Sequence, residues 1–199
     1  LPNIEFKGIG TNLACRSGVS PDAENMSTLS ALADSIDDIF GVEMEIVSGG
    51  NSANIGWAFG DADMGRVNNL RLGEAILLGR DPLTRTPIEG LYTDSFQVVA
   101  EVIESKVKPS QPWGKFAQSA FGSPPENINQ GNVHQVLLAI GEQDIDQDGL
   151  TSQPNVKILG VSSDHLILNV GNSELSVGDE VTFQPNYSAL VRAATSPFV

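Results

Sequence analysis

Two strand-to-helix junctions carry the residues best suited to hold an anion. SGGNSAN (48–54) follows an apolar run. Its two glycines let the backbone approach a ligand closely. Asn51 and Ser52 add donors where the amides of a following helix also point outward, the arrangement by which helix N-termini bind phosphate. RLGE (71–74) is a second strand end with a glycine, and two adjacent ends of this kind can share one oxyanion. Read alone, SGGNSAN is a weak signal, and the plainer reading is a strand-to-helix turn with Ser52 as N-cap. Arg71 needs its own account. It interrupts NNLRLGEAILLG (68–79), an otherwise apolar run, and a cation in such a place must have something to meet.

Other chemical patterns are weaker. DIDQDGL (144–150) matches the first half of a calcium loop, but Asn155 stands where the bidentate Glu belongs and Pro154 opposes the exit helix, so an acidic turn is expected. His134, His165 and Cys15 are isolated and lack zinc spacing, and no metal is expected. Neither a nucleophile elbow nor a Walker loop is present.

The elements that would position these residues split near residue 80. NIEFKGI (3–9) is a short β-type run. A helix follows, with Ser20 as N-cap and Pro21 at its first position. Met26, Leu29, Leu32, Ile36 and Ile39 form its apolar stripe, and Gly41 ends it. VEMEIVSGG (42–50) and VNNLRL (67–72) are further strands. Strands alternating with helices predict βα units and a parallel sheet. Beyond residue 94 the runs 95–107, 133–141, 155–161, 164–170 and 179–185 are β-type and separated by Gly, Pro and Asn turns, which predicts an all-β domain. The expected organisation is an α/β part over 1–80, a connection over 81–94 and a β-domain over 95–199. Three parallel βα units are too few to stand alone, since such sheets are buried on both faces. They read as the last three units of a (β/α)8 barrel.

Composition narrows the partners. Of the 199 residues 40% are hydrophobic and 18% charged, a globular balance. A net charge of −14 argues against nucleic acid and anionic membrane as partners. A single cysteine excludes an internal disulfide framework and points to a reducing, cytoplasmic setting. No apolar run approaches the roughly 20 residues that cross a bilayer. The N-terminus shows no signal-peptide pattern and begins with Leu instead of Met, so a fragment or processed product is expected.

GIGTNLAC (8–15), SGGNSAN (48–54), NNLRLGEAILLGRD (68–81), GVSSDHLIL (160–168), VGDEVTF (177–183) and RAATSPFV (192–199) occur in order. Together they resemble the C-terminal portion of the alanine-racemase-like amino-acid racemases, in the branch that includes ornithine racemase. The resemblance implies a pyridoxal-phosphate (β/α)8 barrel followed by a β-domain, working as a homodimer on a free amino acid. By resemblance, Ser52, with Asn51 beside it, matches the serine that binds the cofactor phosphate. Gly73 and Glu74 match the pair whose backbone amides bind it. Arg71 matches the arginine facing the pyridine nitrogen. A guanidinium keeps its proton near neutral pH, so it leaves that nitrogen unprotonated and weakens the ring as an electron sink. Asn12 falls where the family stacks a histidine on the ring. Asp164 matches an acidic residue of the substrate entryway, supplied to the partner's site.

Departures from the family pattern are also informative. The family's Schiff-base lysine lies on the first barrel strand, which this chain is expected to lack, so the chain by itself is expected to be inactive and to need the missing N-terminal strands. Phe121, in SAFG, falls at the family's tyrosine base, and a phenyl ring cannot move a proton. The terminal tyrosine of the family falls at Phe198. The expected function is racemisation by the intact protein. The alternatives are a non-catalytic pyridoxal-phosphate-binding protein and an acidic β interaction module with a vestigial barrel.

Overall fold

The computed structural model describes residues 3–115, 117–118, 120–121 and 130–199. The chain divides into two compact units, Leu1–Ser95 and Phe96–Val199.

The first unit is built on a parallel sheet of three strands in the order β1 (Gly8–Gly10), β2 (Ile46–Asn51), β3 (Asn69–Arg71). Helix α1 (Ala23–Phe40) connects β1 to β2. Its N-cap is Asp22, two residues beyond the expected Ser20. The Asp22 carboxylate accepts from Asn25 N at 2.8 Å and the Asn25 side chain accepts from Asp22 N at 3.0 Å, a reciprocal box that Ser20 could not close. Gly41 ends the helix in the left-handed region, φ 61°. Met26, Leu29 and Ala33 are buried against Met44, Val47 and Val67, and this cluster is the unit's core. Each fully buried large apolar side chain contributes about 1.5–3 kcal/mol. Leu32 and Ile39, expected on the same stripe, are exposed. The core-facing stripe is narrower because Ala33 takes the central contact.

Strand β1 is shorter than the expected 3–9, since only Gly8–Gly10 pair with Ile46–Ser48. Between β2 and β3 the register slips at Gly49, a bulge. Two short helices, α2 (Ile55–Ala58) and α3 (Glu74–Leu78), follow β2 and β3, with a 3-10 turn at Ser52–Asn54 before α2. Residues 80–94 fold back on this unit. Ile88 N donates to Gly79 O at 2.9 Å, and Arg85 pairs with Glu74.

The second unit is an antiparallel sheet in the order β6 (Leu150–Thr151), β9 (Glu180–Pro185), β4 (Val98–Pro109), β5 (Asn132–Leu138), β8 (Leu166–Asn169), β7 (Lys157–Val161). The long β4 pairs with β9 through its first residues and with β5 through the rest, changing partner at a bulge around Ile103. Val102, Val136, Leu138, Leu166, Leu168 and Phe183 are its best-buried residues. A helix absent from the sequence reading, α4 (Tyr187–Thr195), follows β9. Asn186 caps it by accepting from Ala189 N at 3.0 Å, and Ala189 and Ala193 enter the core.

Candidate functional site

Parallel strands present their functional residues at their C-terminal ends. Here Asn12, Asn51, Ser52, Arg71, Gly73 and Glu74 all follow, or end, strands of the first unit. Two groupings form.

In the first, Ser52 is 4% exposed and its hydroxyl oxygen accepts from the backbone N–H of both Gly73 and Ala75, each at 3.2 Å. Two amides from the end of β3 thus converge on a hydroxyl at the end of β2. The hydroxyl's own proton is left for an external acceptor. A Cβ added at Gly73 would meet nothing within 4 Å, so the space beside Gly73 is open. With both amides bonded to it, Ser52 has one hydroxyl proton to offer a phosphate, and the amides would reach that phosphate only by exchanging Ser52 Oγ for it. Asn51 does not join this set as a donor. Its side-chain oxygen accepts from Ala53 N at 2.9 Å, and its Nδ2 donates to Leu13 O at 2.8 Å and Asn12 Oδ1 at 3.0 Å. It ties the end of β1 to the end of β2. The amides at Ser52 are those of Gly73 and Ala75, where Gly73 and Glu74 were expected, and the Glu74 carboxylate is paired with Arg85.

The second grouping surrounds Arg71. Nη1 donates to Ser48 Oγ, and Nη2 donates to Thr11 O at 2.8 Å and to Asn12 Oδ1 at 3.4 Å. Every acceptor is formally neutral. Among the described residues no carboxylate forms an ion pair with Arg71, although Arg85 and Arg192 each have one such partner and Arg66 has two. In a chain of net charge −14, this site keeps an uncompensated cation. Gly10 makes room for it. A Cβ there would lie 2.9 Å from Ser48 Cβ and 3.5 Å from Arg71 Nη1. Behind the site Asn54 is fully buried, donating to Gly49 O at 2.9 Å, while its Oδ1 has no partner among the described residues.

Ser48, Thr11, Gly10 and Ala75 were not singled out from sequence. Alternation could have found Ser48, since it lies on the sheet face opposite Val47, a core residue. Thr11 and Ala75 act through backbone atoms and leave no signal in side-chain identity.

The remaining expected site residues belong to the second unit. Asp164 lies in the turn between β7 and β8, where its carboxylate accepts from Ser163 Oγ at 2.8 Å. Of the SAFG stretch, Ala120 and Phe121 are among the described residues, and Phe121 is 40% exposed. Loop 141–144 is bonded to the Asp164 turn through Glu142 N to Ser162 O and Gln143 N to Ser163 O. In the acidic stretch, Asp144 is buried and accepts from Ser196 Oγ at 2.7 Å, and Asp146 caps a 3-10 turn, Gln147–Gly149. His134 is bonded to Ser105 Oγ at 2.8 Å. Because that hydroxyl gives its only proton to Leu175 O, at 2.6 Å, His134 Nε2 must be the donor and cannot act as a base toward the serine.

Comparison with known proteins bears on the fold. No family model matches the chain. It is 42% identical to ornithine racemase of Acetoanaerobium sticklandii over its whole length and 40% identical to lysine racemase of Thermotoga maritima over 96% of it. The chain spans 57% and 55% of those two proteins. Among solved structures, alanine racemase of Bartonella henselae with covalently bound pyridoxal phosphate superposes with a TM-score of 0.58 at 20% identity. The match covers 98% of this chain and 52% of that one. D-threonine aldolase of Filomicrobium marinum gives 0.60 at 16% identity, over 95% and 47%. The chain has the alanine-racemase-like fold, of which it carries the C-terminal part.

Proposed function

We propose that the intact protein is a pyridoxal-phosphate-dependent racemase of an amino acid with a cationic side chain. The observation that carries this reading is the convergence of Ser52 Oγ, Gly73 N and Ala75 N, each link 3.2 Å, at strand ends that also hold the uncompensated Arg71. The likeness to ornithine and lysine racemases supports the reaction and the substrate class.

When bound, the cofactor supplies an electron sink for the electron pair left when a proton departs from Cα. The chain's own residues bind and orient. Ser52 and the backbone amides at the end of β3 would hold the phosphate. Asn51 fixes Asn12, whose carboxamide accepts from the guanidinium of Arg71 and, by resemblance, would stand beside the cofactor ring. The Arg71 guanidinium would donate a hydrogen bond to the ring nitrogen without transferring a proton, which would limit side reactions that need a stronger sink. The proton on Cα would be moved by groups outside this cluster, which offers amides, hydroxyls, a guanidinium and the Glu74 carboxylate already paired with Arg85. Asp164, contributed by the partner protomer of a homodimer, stands at the substrate entrance, where a carboxylate suits a cationic side chain. By resemblance, Phe121 falls at the family's tyrosine base, where a phenyl ring would move no proton.

The test incubates full-length protein and pyridoxal phosphate with L-ornithine, L-lysine or L-alanine in deuterated water. The expected result is a racemic product from a basic amino acid with one deuterium at Cα. Cofactor binding with no exchange on any of the three would instead support a non-catalytic pyridoxal-phosphate-binding protein.

A further inference from the structure

We infer that Ser48 is a positioning residue that sets the place and direction of the Arg71 guanidinium. This inference rests on the racemase reading and adds a residue to it.

The argument begins with the acceptor set. A guanidinium presents five N–H donors in a rigid fork, and its plane is fixed only when acceptors meet both ends. Nη2 has two, the Thr11 carbonyl at 2.8 Å and Asn12 Oδ1 at 3.4 Å. Asn12 Oδ1 is the weaker of these, by distance and because it is shared with Asn51 Nδ2. Nη1 has Ser48 Oγ as its side-chain acceptor. Ser48 is therefore what stops the fork from turning about the Thr11 contact.

Ser48 is suited to that task by its place in the sheet. It is 6% exposed, in the middle strand, and paired with Gly10 on one side and Asn69 on the other. Its neighbour Val47 is fully buried in the opposite, helix-facing core. A strand so clamped has little freedom, so the hydroxyl is a fixed point and the flexible arginine conforms to it. Gly10 completes the seat, because a side chain there would occupy the space between Ser48 and the guanidinium. A hydroxyl also supplies an acceptor without a charge. A carboxylate in the same place would neutralise Arg71 and favour protonation of a base beside it.

The test uses full-length protein with cofactor whose ring nitrogen is isotope-labelled for NMR. Ser48→Ala removes the acceptor, and Ser48→Cys keeps nearly the same volume with a much poorer one, which covers the case in which the alanine variant packs badly. Both variants are expected to bind the cofactor as tightly as the parent, because the phosphate contacts at Ser52 are untouched. Losing a hydrogen bond to a charged group, both are expected to lose roughly tenfold or more in kcat with little change in KM. Their ring-nitrogen resonance is expected to move toward the protonated form as the guanidinium loosens. A merely structural role would lower thermal stability and cofactor affinity without moving that resonance. Parent kcat and parent resonance in both variants would overturn the inference. A parent protein that binds no cofactor and racemises nothing would instead remove the racemase reading and, with it, the role given to Ser48.

Discussion

Arg71 and Glu74 lie three residues apart and meet opposite fates. Arg71 has only neutral partners, whereas Glu74 is tied to Arg85. The positive charge at the strand ends is thus kept and the negative one compensated, which suits an anionic ligand. Two predictions belong to this scale. Arg71→Glu replaces a cation with a carboxylate, which would favour a proton on the ring nitrogen that the proposed function sets beside it. Racemisation should slow and the bound cofactor's absorption spectrum should change. Parent activity with an unchanged spectrum would show that Arg71 does not face the ring. Ser52→Ala removes the hydroxyl that gathers the amides of Gly73 and Ala75. The loss should be about 1.5–3 kcal/mol of cofactor binding, the worth of a hydrogen bond to a charged group. Equilibrium dialysis would measure it, and parent affinity would place the phosphate elsewhere. Ser52, Gly73 and Arg71 were legible in sequence because glycines, a hydroxyl and a misplaced cation at strand ends are unusual. Ser48 was not, because a serine within a strand is ordinary and only register gives it a task.

The elements themselves are held by a few backbone demands that sequence shows unevenly. Gly50 has φ 140°, and a Cβ there would sit 2.3 Å from Asn54 Oδ1. Gly56, in α2, has open space around it. Gly50→Ala should therefore destabilise by about 1–3 kcal/mol from backbone strain, with displacement of the buried Asn54 added to it. Gly56→Ala should be neutral or stabilising by roughly 0.5–1 kcal/mol, as alanine is in a helix. Urea midpoints of the two variants would check the contrast, and equal values would contradict the account of Gly50. The double glycine of SGGNSAN was legible as a place where backbone must come close, though not which glycine was strained. Helix α1 was legible through its periodicity, but its cap was not. Ser20, Asp22 and Asn25 all favour N-caps, and only the reciprocal Asp22–Asn25 bonds decide among them. Helix α4 was missed because its nine residues bury chiefly the alanines Ala189 and Ala193, which give a weak apolar signal.

At the scale of the whole molecule, the question is where an amine for covalent attachment of the cofactor would come from. Among the described residues β1 and β3 each pair on one side only, and the chain spans little more than half of its curated relatives. Five lysines are present: Lys7, Lys106, Lys108, Lys115 and Lys157. Lys7 precedes β1, at the end of the sheet opposite the strand termini that gather Ser52 and Arg71. Its ammonium lies 2.8 Å from Glu45 and 2.5 Å from Glu5, and these hydrogen bonds, Glu45 first, raise its pKa. An amine held protonated is a poor nucleophile. Lys106 and Lys108 both pair with Glu104, whose carboxyl they hold down at about 2, so their charges too are engaged. Lys115 and Lys157 are exposed residues of the second unit. We therefore expect residues 1–199 alone to racemise nothing. Mixed with pyridoxal phosphate and reduced with borohydride, they should show only scattered, substoichiometric labelling when mapped by mass spectrometry. The full-length protein, treated in the same way, should carry one stoichiometric label on a lysine preceding Leu1. Stoichiometric labelling of a single lysine within 1–199, together with racemase activity, would overturn this account and move the covalent attachment into the part described here.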